Sequence, residues 1–281
     1  MMVELSSPLR VTWDLPANEE LARLLWRKLV EGRVLFVDAL VSRESIGALG
    51  AIGEEFALPG GPRVTLSIPG DLIDELSGFG AWISSLSLNI LPPYGDSYAE
   101  LSGRVGEVSI ALWSTPEGLQ DFKEAIYVAK RSNGSIAIMN PHAKAQALSA
   151  AHRAYALAAW SEAGEPSRVP LRVHDLFLSE ALGLEPFKAY AGCAAASSLA
   201  HLTHAGKLVA CRTLPLELGD LVDTSLKDIW KLASRSQLAK NLSALPEECE
   251  PCSLSVRCGG GCPGLAPEAG LRDTSCEGVR D

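Results

Sequence analysis

Through its first two thirds the chain alternates short apolar runs with longer stretches of helical periodicity. Strand-like runs stand at Leu9–Leu15, Val34–Val41, Arg63–Pro69, Ser85–Ile90, Glu107–Leu112 and Ser135–Asn140. Between them, Glu19–Val30 places Leu21, Leu24, Leu25 and Leu29 on one helical face. Thr115-Pro116-Glu117 supplies a cap, a first-turn proline and an early acid, predicting a helix through Arg131. The alanine-rich span Pro141–Glu162 predicts one long helix, broken near its start, and Leu171–Leu178 reads as a last strand. Near-continuous apolar strands joined by helices are the signature of a parallel α/β sheet covered on its face. About six such units predict a partial (β/α)6 barrel rather than a closed eightfold one.

Near residues 164–180 the pattern breaks, with Gly164-Glu165-Pro166-Ser167 and Val169-Pro170 punctuating the chain. Beyond lie closely spaced cysteines, glycines and prolines in short, loop-like segments. The reading is therefore two parts, a barrel over 1–180 and a small loop-rich module over 181–281. A module of that size buries little apolar surface and needs a metal or disulfide staple.

Composition narrows the function. Of 281 residues 47% are hydrophobic and 21% charged, as in ordinary globular proteins, and the net charge is −9. An acidic chain lacks the basic stripe that replaces counterions on nucleic acid, so nucleic-acid binding is excluded. No apolar run reaches the ~20 residues of a membrane span, and the first residues lack a basic segment leading into an apolar one. A cytoplasmic protein is the expectation. The decisive statistic is the placement of cysteine: residues 1–192 contain none, and 193–281 contain all seven. An odd number in a reducing compartment points to metal rather than disulfides.

The order is Cys193, Gly206-x4-Cys211, Cys249-x2-Cys252, Cys258, Cys262-Pro263 and Cys276. A Cys-x2-Cys pair presents two thiolates from one tight turn to one centre. A final cysteine followed by proline, in two-cluster ferredoxins, serves the other cluster. The partition that follows puts Cys249, Cys252, Cys258 and Cys276 on one 4Fe-4S cluster. Cys193, Cys211 and Cys262 hold a second, one protein thiolate short. Gly206, Gly259, Gly260 and Gly261 are expected to bring backbone close to the cofactor, with N–H groups aimed at its sulfurs. All-thiolate zinc is the competing reading of the same residues. His201 and His204 are candidates for the missing ligand, against the plainer reading of surface histidines.

This pattern resembles the seven-cysteine signature of SPASM domains, the auxiliary-cluster modules of radical-SAM peptide-modifying enzymes. Ala205–Cys211 resembles the strand before that family's second cysteine. Leu218-Gly219-Asp220-Leu221 followed by Ser225-Leu226-Lys227-Asp228-Ile229-Trp230 is similar to its "LGN…SLxxIW" stretch, and Cys258-Gly259-Gly260-Gly261-Cys262-Pro263 is close to its usual wording. The resemblance spans about residues 190–278, with a slightly long gap of seventeen residues between Cys193 and Cys211.

The resemblance implies a preceding partial barrel whose first strand runs into a Cys-x3-Cys-x2-Cys loop that binds the S-adenosylmethionine-cleaving cluster. Here Val11–Leu15 leads into Pro16-Ala17-Asn18-Glu19-Glu20-Leu21-Ala22, without a cysteine. The family's Gly-Gly-Glu after the second strand is replaced by Ala39-Leu40-Val41-Ser42-Arg43-Glu44. Asn and Glu do not replace thiolates on a soft cluster, so no S-adenosylmethionine cleavage is expected. A degenerate barrel with an intact module resembles the SPASM-domain proteins of GeoRSP peptide-modification systems. That likeness implies an accessory role in ribosomal-peptide (RiPP) maturation, by electron transfer or peptide positioning. It implies as partners a radical-SAM/SPASM enzyme, a small PqqD-like peptide carrier and the precursor peptide. Two other roles fit the same residues: an enzyme using an open iron of the three-cysteine cluster, and a structural peptide-docking module.

Other residues have plainer readings. Glu19, Glu20, Glu54 and Glu55 read as solvated helix faces. Trp13 and Asp14 stand at the rim where barrel chemistry occurs, or serve as core packing and a helix cap. His142 follows a strand end, at such a rim or at a helix start.

Overall fold

The computed structural model describes residues 5–76, 78–95, 104–163, 169–184, 193–253, 255–267 and 271–276. Its strands are β1 (Arg10–Asp14), β2 (Phe36–Leu40), β3 (Arg63–Pro69), β4 (Ser87–Leu91), β5 (Glu107–Trp113), β6 (Ser135–Met139), β7 (Leu171–Val173), β8 (Leu199–Leu202), β9 (Lys207–Val209) and β10 (Glu217–Asp220). The helices are α1 (Glu19–Glu31), α2 (Ile46–Phe56), α3 (Ile73–Leu76), α4 (Phe122–Ser132), α5 (Ala150–Glu162), α6 (Leu176–Ala181), α7 (Leu226–Ala233), α8 (Gln237–Ser243) and α9 (Ser255–Cys258). All ten strands form one sheet in the order β10-β9-β8-β1-β2-β3-β4-β5-β6-β7. β1 to β7 are parallel; β8 joins β1 in parallel, and β9 and β10 follow antiparallel.

The sheet separates apolar from polar positions. Val11 and Trp13, Val37 and Ala39, Leu66 and Ile68, Leu88 and Ile90, Ile110 and Leu112, and Ile136 and Ile138 are buried in one core with the helices. The other face carries Thr12, Asp14, Asp38, Thr65, Ser67, Asn89, Ser109 and Ser135, aligned by register pairs such as Thr12↔Asp38, Asp38↔Thr65 and Asn89↔Ser109. That face is strongly curved. The Ser67 hydroxyl of β3 lies 3.8 Å from the Met139 sulfur of β6. In a flat sheet those strands would stand roughly 14 Å apart, three spacings of about 4.8 Å. The strands therefore wrap into an open barrel with helices outside; inside, the polar residues stand beside a small apolar cluster of Leu91, Ala111 and Ala137 with Leu40, Trp113 and Met139.

Two expectations about elements need correction. Leu171–Leu178 is not one strand: β7 stops at Val173, and Asp175 opens α6 by accepting the Leu178 N–H at 2.8 Å. Pro141–Glu162 is not one helix, since only α5, from Ala150, is helical. Its first turn is held by Ser149 and His152 in a reciprocal cap. The helix expected from Thr115 begins as a 3-10 turn, Gly118–Asp121, and becomes α4 at Phe122. The punctuation at 164–167 and the approach to residue 193 lie largely outside the described residues. Among the described residues, no helix is long and apolar enough to cross a membrane.

Candidate metal centre

The cysteines sit in turns whose backbone is fixed locally. β9 leads to Cys211, whose N–H bonds the Leu214 carbonyl at 3.1 Å in a tight turn. Cys249 ends a 3-10 turn, and its carbonyl accepts the Cys252 N–H at 3.1 Å, so the Cys-x2-Cys pair shares one bend. Cys258 closes α9. Gly259, Gly260 and Gly261 follow at φ of +60°, +88° and +78°, the left-handed region that favours glycine. A Cβ on Gly260 would stand 2.5 Å from Pro246 Cδ, and one on Gly261 2.5 Å from Asp273 Cβ. The glycines reverse the chain between Cys258 and Cys262 where no side chain fits.

Asp273 ties these turns together. It is 3% exposed, and its Oδ2 accepts the Cys262 N–H at 2.8 Å while its Oδ1 accepts the Ser275 N–H at 2.7 Å. Its backbone carbonyl accepts the Cys276 N–H at 3.0 Å. Burial raises its carboxyl above the ordinary value, opposed by those hydrogen bonds. Nothing in the spacing of the sequence marked this residue.

Two groups of thiols emerge. Cys193, Cys211 and Cys262, from three separate segments, line one cavity of about 120 Å³ together with Ala194, Ala195, Leu214 and Leu265. One water needs roughly 10–15 Å³ by the same measure, so the space suits a group of several heavy atoms. Burial pushes the Cys262 thiol up to about 12, and nearby Cys211 adds to the effect. Burial likewise pushes Cys193 up to about 11. Of the other thiols, Cys249 is raised by burial, with Cys276 and Cys252 adding to it, and Cys258 is raised by burial to about 11, with Cys276 and Cys249 adding to it. The sulfurs also attract backbone donors. The N–H groups of Gly260 and Gly261 act on Cys258, that of Gly264 on Cys262, and Ala195 N–H lies 3.5 Å from Cys193 Sγ. Aimed donors and thiols in a largely apolar wall fit a thiolate-bound cluster. Among the described residues, no three His, Cys, Asp or Glu side chains are placed to hold a single metal ion.

Gly206 belongs elsewhere. It turns the chain between β8 and β9 at φ +86°, with a Cβ position 2.6 Å from Val222 Cγ2, and it is not part of the cavity wall. The histidine candidates are also displaced. His201 is buried on β8, its Nδ1 2.9 Å from Thr12 Oγ1 and its Nε2 3.1 Å from Asp14 Oδ2, and it does not line the cavity. His204 is exposed in the β8–β9 turn.

Asp14 is no helix cap; Asn18 caps α1. Its second oxygen lies 3.2 Å from Arg212, the residue after Cys211, and the Arg212 guanidinium stands 5.4 Å from the Trp113 ring centre. Trp113 in turn packs on His142 at 4.8 Å. Burial pushes the Asp14 carboxyl up, but the His201 hydrogen bond and the charges of His201 and Arg212 outweigh it and leave it below its ordinary value. Trp13, by contrast, is core, edge-on to Phe56. The first-strand rim therefore holds an ionic and aromatic cluster that ties the barrel to the second cysteine. Of the acids read as solvated, Glu55 pairs with Arg23.

Residues 193–253 match the family model of the SPASM iron-sulfur cluster-binding domain. No curated protein matches the chain. Among solved structures, native anSMEcpe with bound AdoMet superposes with a TM-score of 0.61 at 14% identity, covering 95% of this chain and 93% of that one. The same protein with AdoMet and the Cp18Cys peptide gives 0.55 at 12%, over 95% and 92%. The chain thus has the fold of anSMEcpe and carries a SPASM iron–sulfur cluster-binding domain over residues 193–253.

Proposed function

We propose that this chain is an accessory iron–sulfur protein of a radical-SAM system for ribosomal-peptide maturation. It holds two auxiliary 4Fe-4S clusters, one on Cys249, Cys252, Cys258 and Cys276, the other on Cys193, Cys211 and Cys262. The observation that carries the reading is the single cavity walled by three cysteines that lie up to 69 residues apart in sequence (262 − 193). Thiolate clusters exchange one electron with little rearrangement and are tuned by the donors around them. The chain relays electrons, or holds peptide, for a partner that cleaves S-adenosylmethionine. Its own β1–α1 turn, Pro16–Asn18, offers no thiol for that reaction. The partners in this reading are a radical-SAM/SPASM enzyme, a PqqD-like carrier and a precursor peptide, in the cytoplasm, as in GeoRSP systems.

Anaerobic purification with iron and acid-labile sulfide counting tests it. Two cubane clusters give about eight irons per chain and paramagnetic signals on reduction. Zinc without sulfide refutes the reading, and a chain that co-purifies with none of its three partners refutes the accessory role.

A further inference from the structure

The three-cysteine cavity lacks a fourth thiolate, yet its wall contains one imidazole, that of His174. We infer that His174 is the fourth protein ligand of this cluster and bonds iron through Nε2, an inference that rests on the cluster reading above.

His174 follows β7 at the rim of the barrel, with its backbone N–H held by the Ile138 carbonyl at 3.0 Å. The ring's Nε2 lies 3.3 Å from Asn140 Nδ2, and Asn140 shares the cavity wall. Because the Asn140 amide nitrogen can only donate, Nε2 is the ring's acceptor nitrogen and Nδ1 carries the proton; iron at Nε2 takes the place of the Asn140 amide.

The oxygen groups of the wall hold hydrogen bonds of their own, as Nε2 does with Asn140, so the chemistry of the donor atom decides between them. Asp175 spends one oxygen on the Leu178 N–H and the other on the Ser114 hydroxyl. Both oxygens of Asp273 accept backbone N–H groups, and the Thr213 hydroxyl donates to the Pro141 carbonyl at 2.7 Å. Oxygen donors also suit a soft cluster less well than nitrogen or sulfur. The ligand set is then three cysteines from the C-terminal module and one histidine from the barrel. No iron is left open for substrate.

The test uses the full chain, reconstituted anaerobically with iron and sulfide, reduced, and examined by pulsed EPR with 15N-histidine labelling. The expected result is a directly bonded nitrogen coupling that changes with the label and is lost in His174→Ala. Because imidazole in place of thiolate raises a cluster's potential, His174→Cys should retain the irons and shift one midpoint to lower potential. About eight irons with no histidine coupling, or a coupling that survives His174→Ala, overturns the ligand assignment and leaves the cluster reading standing. A chain that takes up neither iron nor sulfide overturns both.

Discussion

At the residue scale, the cysteines and the glycine triplet could be read directly, because thiolate spacing and positive φ are local properties. The contacts that join Asp14, His201 and Arg212 could not. Thr12 and His201 are 189 residues apart in sequence, and nothing in either neighbourhood announces that β1 and β8 pair. Asp273 escaped for the same reason, since its work is done on Cys262, eleven residues away. Asp14 supports a prediction. Replacing it by asparagine leaves the buried Arg212 guanidinium without its anion and should cost about 1–3 kcal/mol at pH 7. The Asp14 value is lower in the folded chain than its unfolded value near 3.9. Its contribution is therefore complete above about pH 4 and fades as pH falls through the folded value. Anaerobic urea titrations should show the gap between wild type and Asp14→Asn narrowing below pH 4; an unchanged gap would contradict the pairing.

At the element scale, β3 was legible to its last residue, because its apolar run is bounded by Gly61-Pro62 and Pro69. The failures have physical causes. In Leu171–Leu178 the apolar pattern is shared by a strand and a helix, and the deciding signal is the Asp175 cap between them. In Pro141–Glu162 alanine content suggested helix, but the cap lies at Ser149, and residues 141–149 pass along the rim, where the Pro141 carbonyl meets Thr213. The glycine turn gives a contrast between two substitutions. Gly261→Ala forces a left-handed alanine against Asp273 and should destabilise by about 1–3 kcal/mol; on the proposed cluster assignment, iron should be lost from the three-cysteine site first. Gly47→Ala, in α2 with nothing within 4 Å, should be neutral or stabilising by up to about 1 kcal/mol. Denaturation midpoints and iron retention of the two variants check this.

At the scale of the molecule, one sheet runs from the barrel strands on into the cysteine-bearing part. Leu202, Leu208, Leu226, Ile229 and Trp230 belong to the same core as Val11 and Leu25, and the Leu226 side chain packs against Gly32 at the end of α1. Composition registers the density of cysteine and glycine, not strand pairing, so it could not place β8 beside β1. A chain ending at residue 184 would keep β1 to β7 but leave β1 as an unpaired edge. That fragment should self-associate at concentrations where the full chain does not, as light scattering would show.

The β1–β8 pairing also sets a clock during synthesis. The edge of β1 leaves the ribosome first, while its partner follows 189 residues later. At about 5–20 residues per second, that edge waits roughly 10–40 s for its neighbour. For that interval the nascent chain presents a ready strand template to any other chain nearby. Growth conditions that slow elongation should therefore lower its soluble yield, even when iron is plentiful.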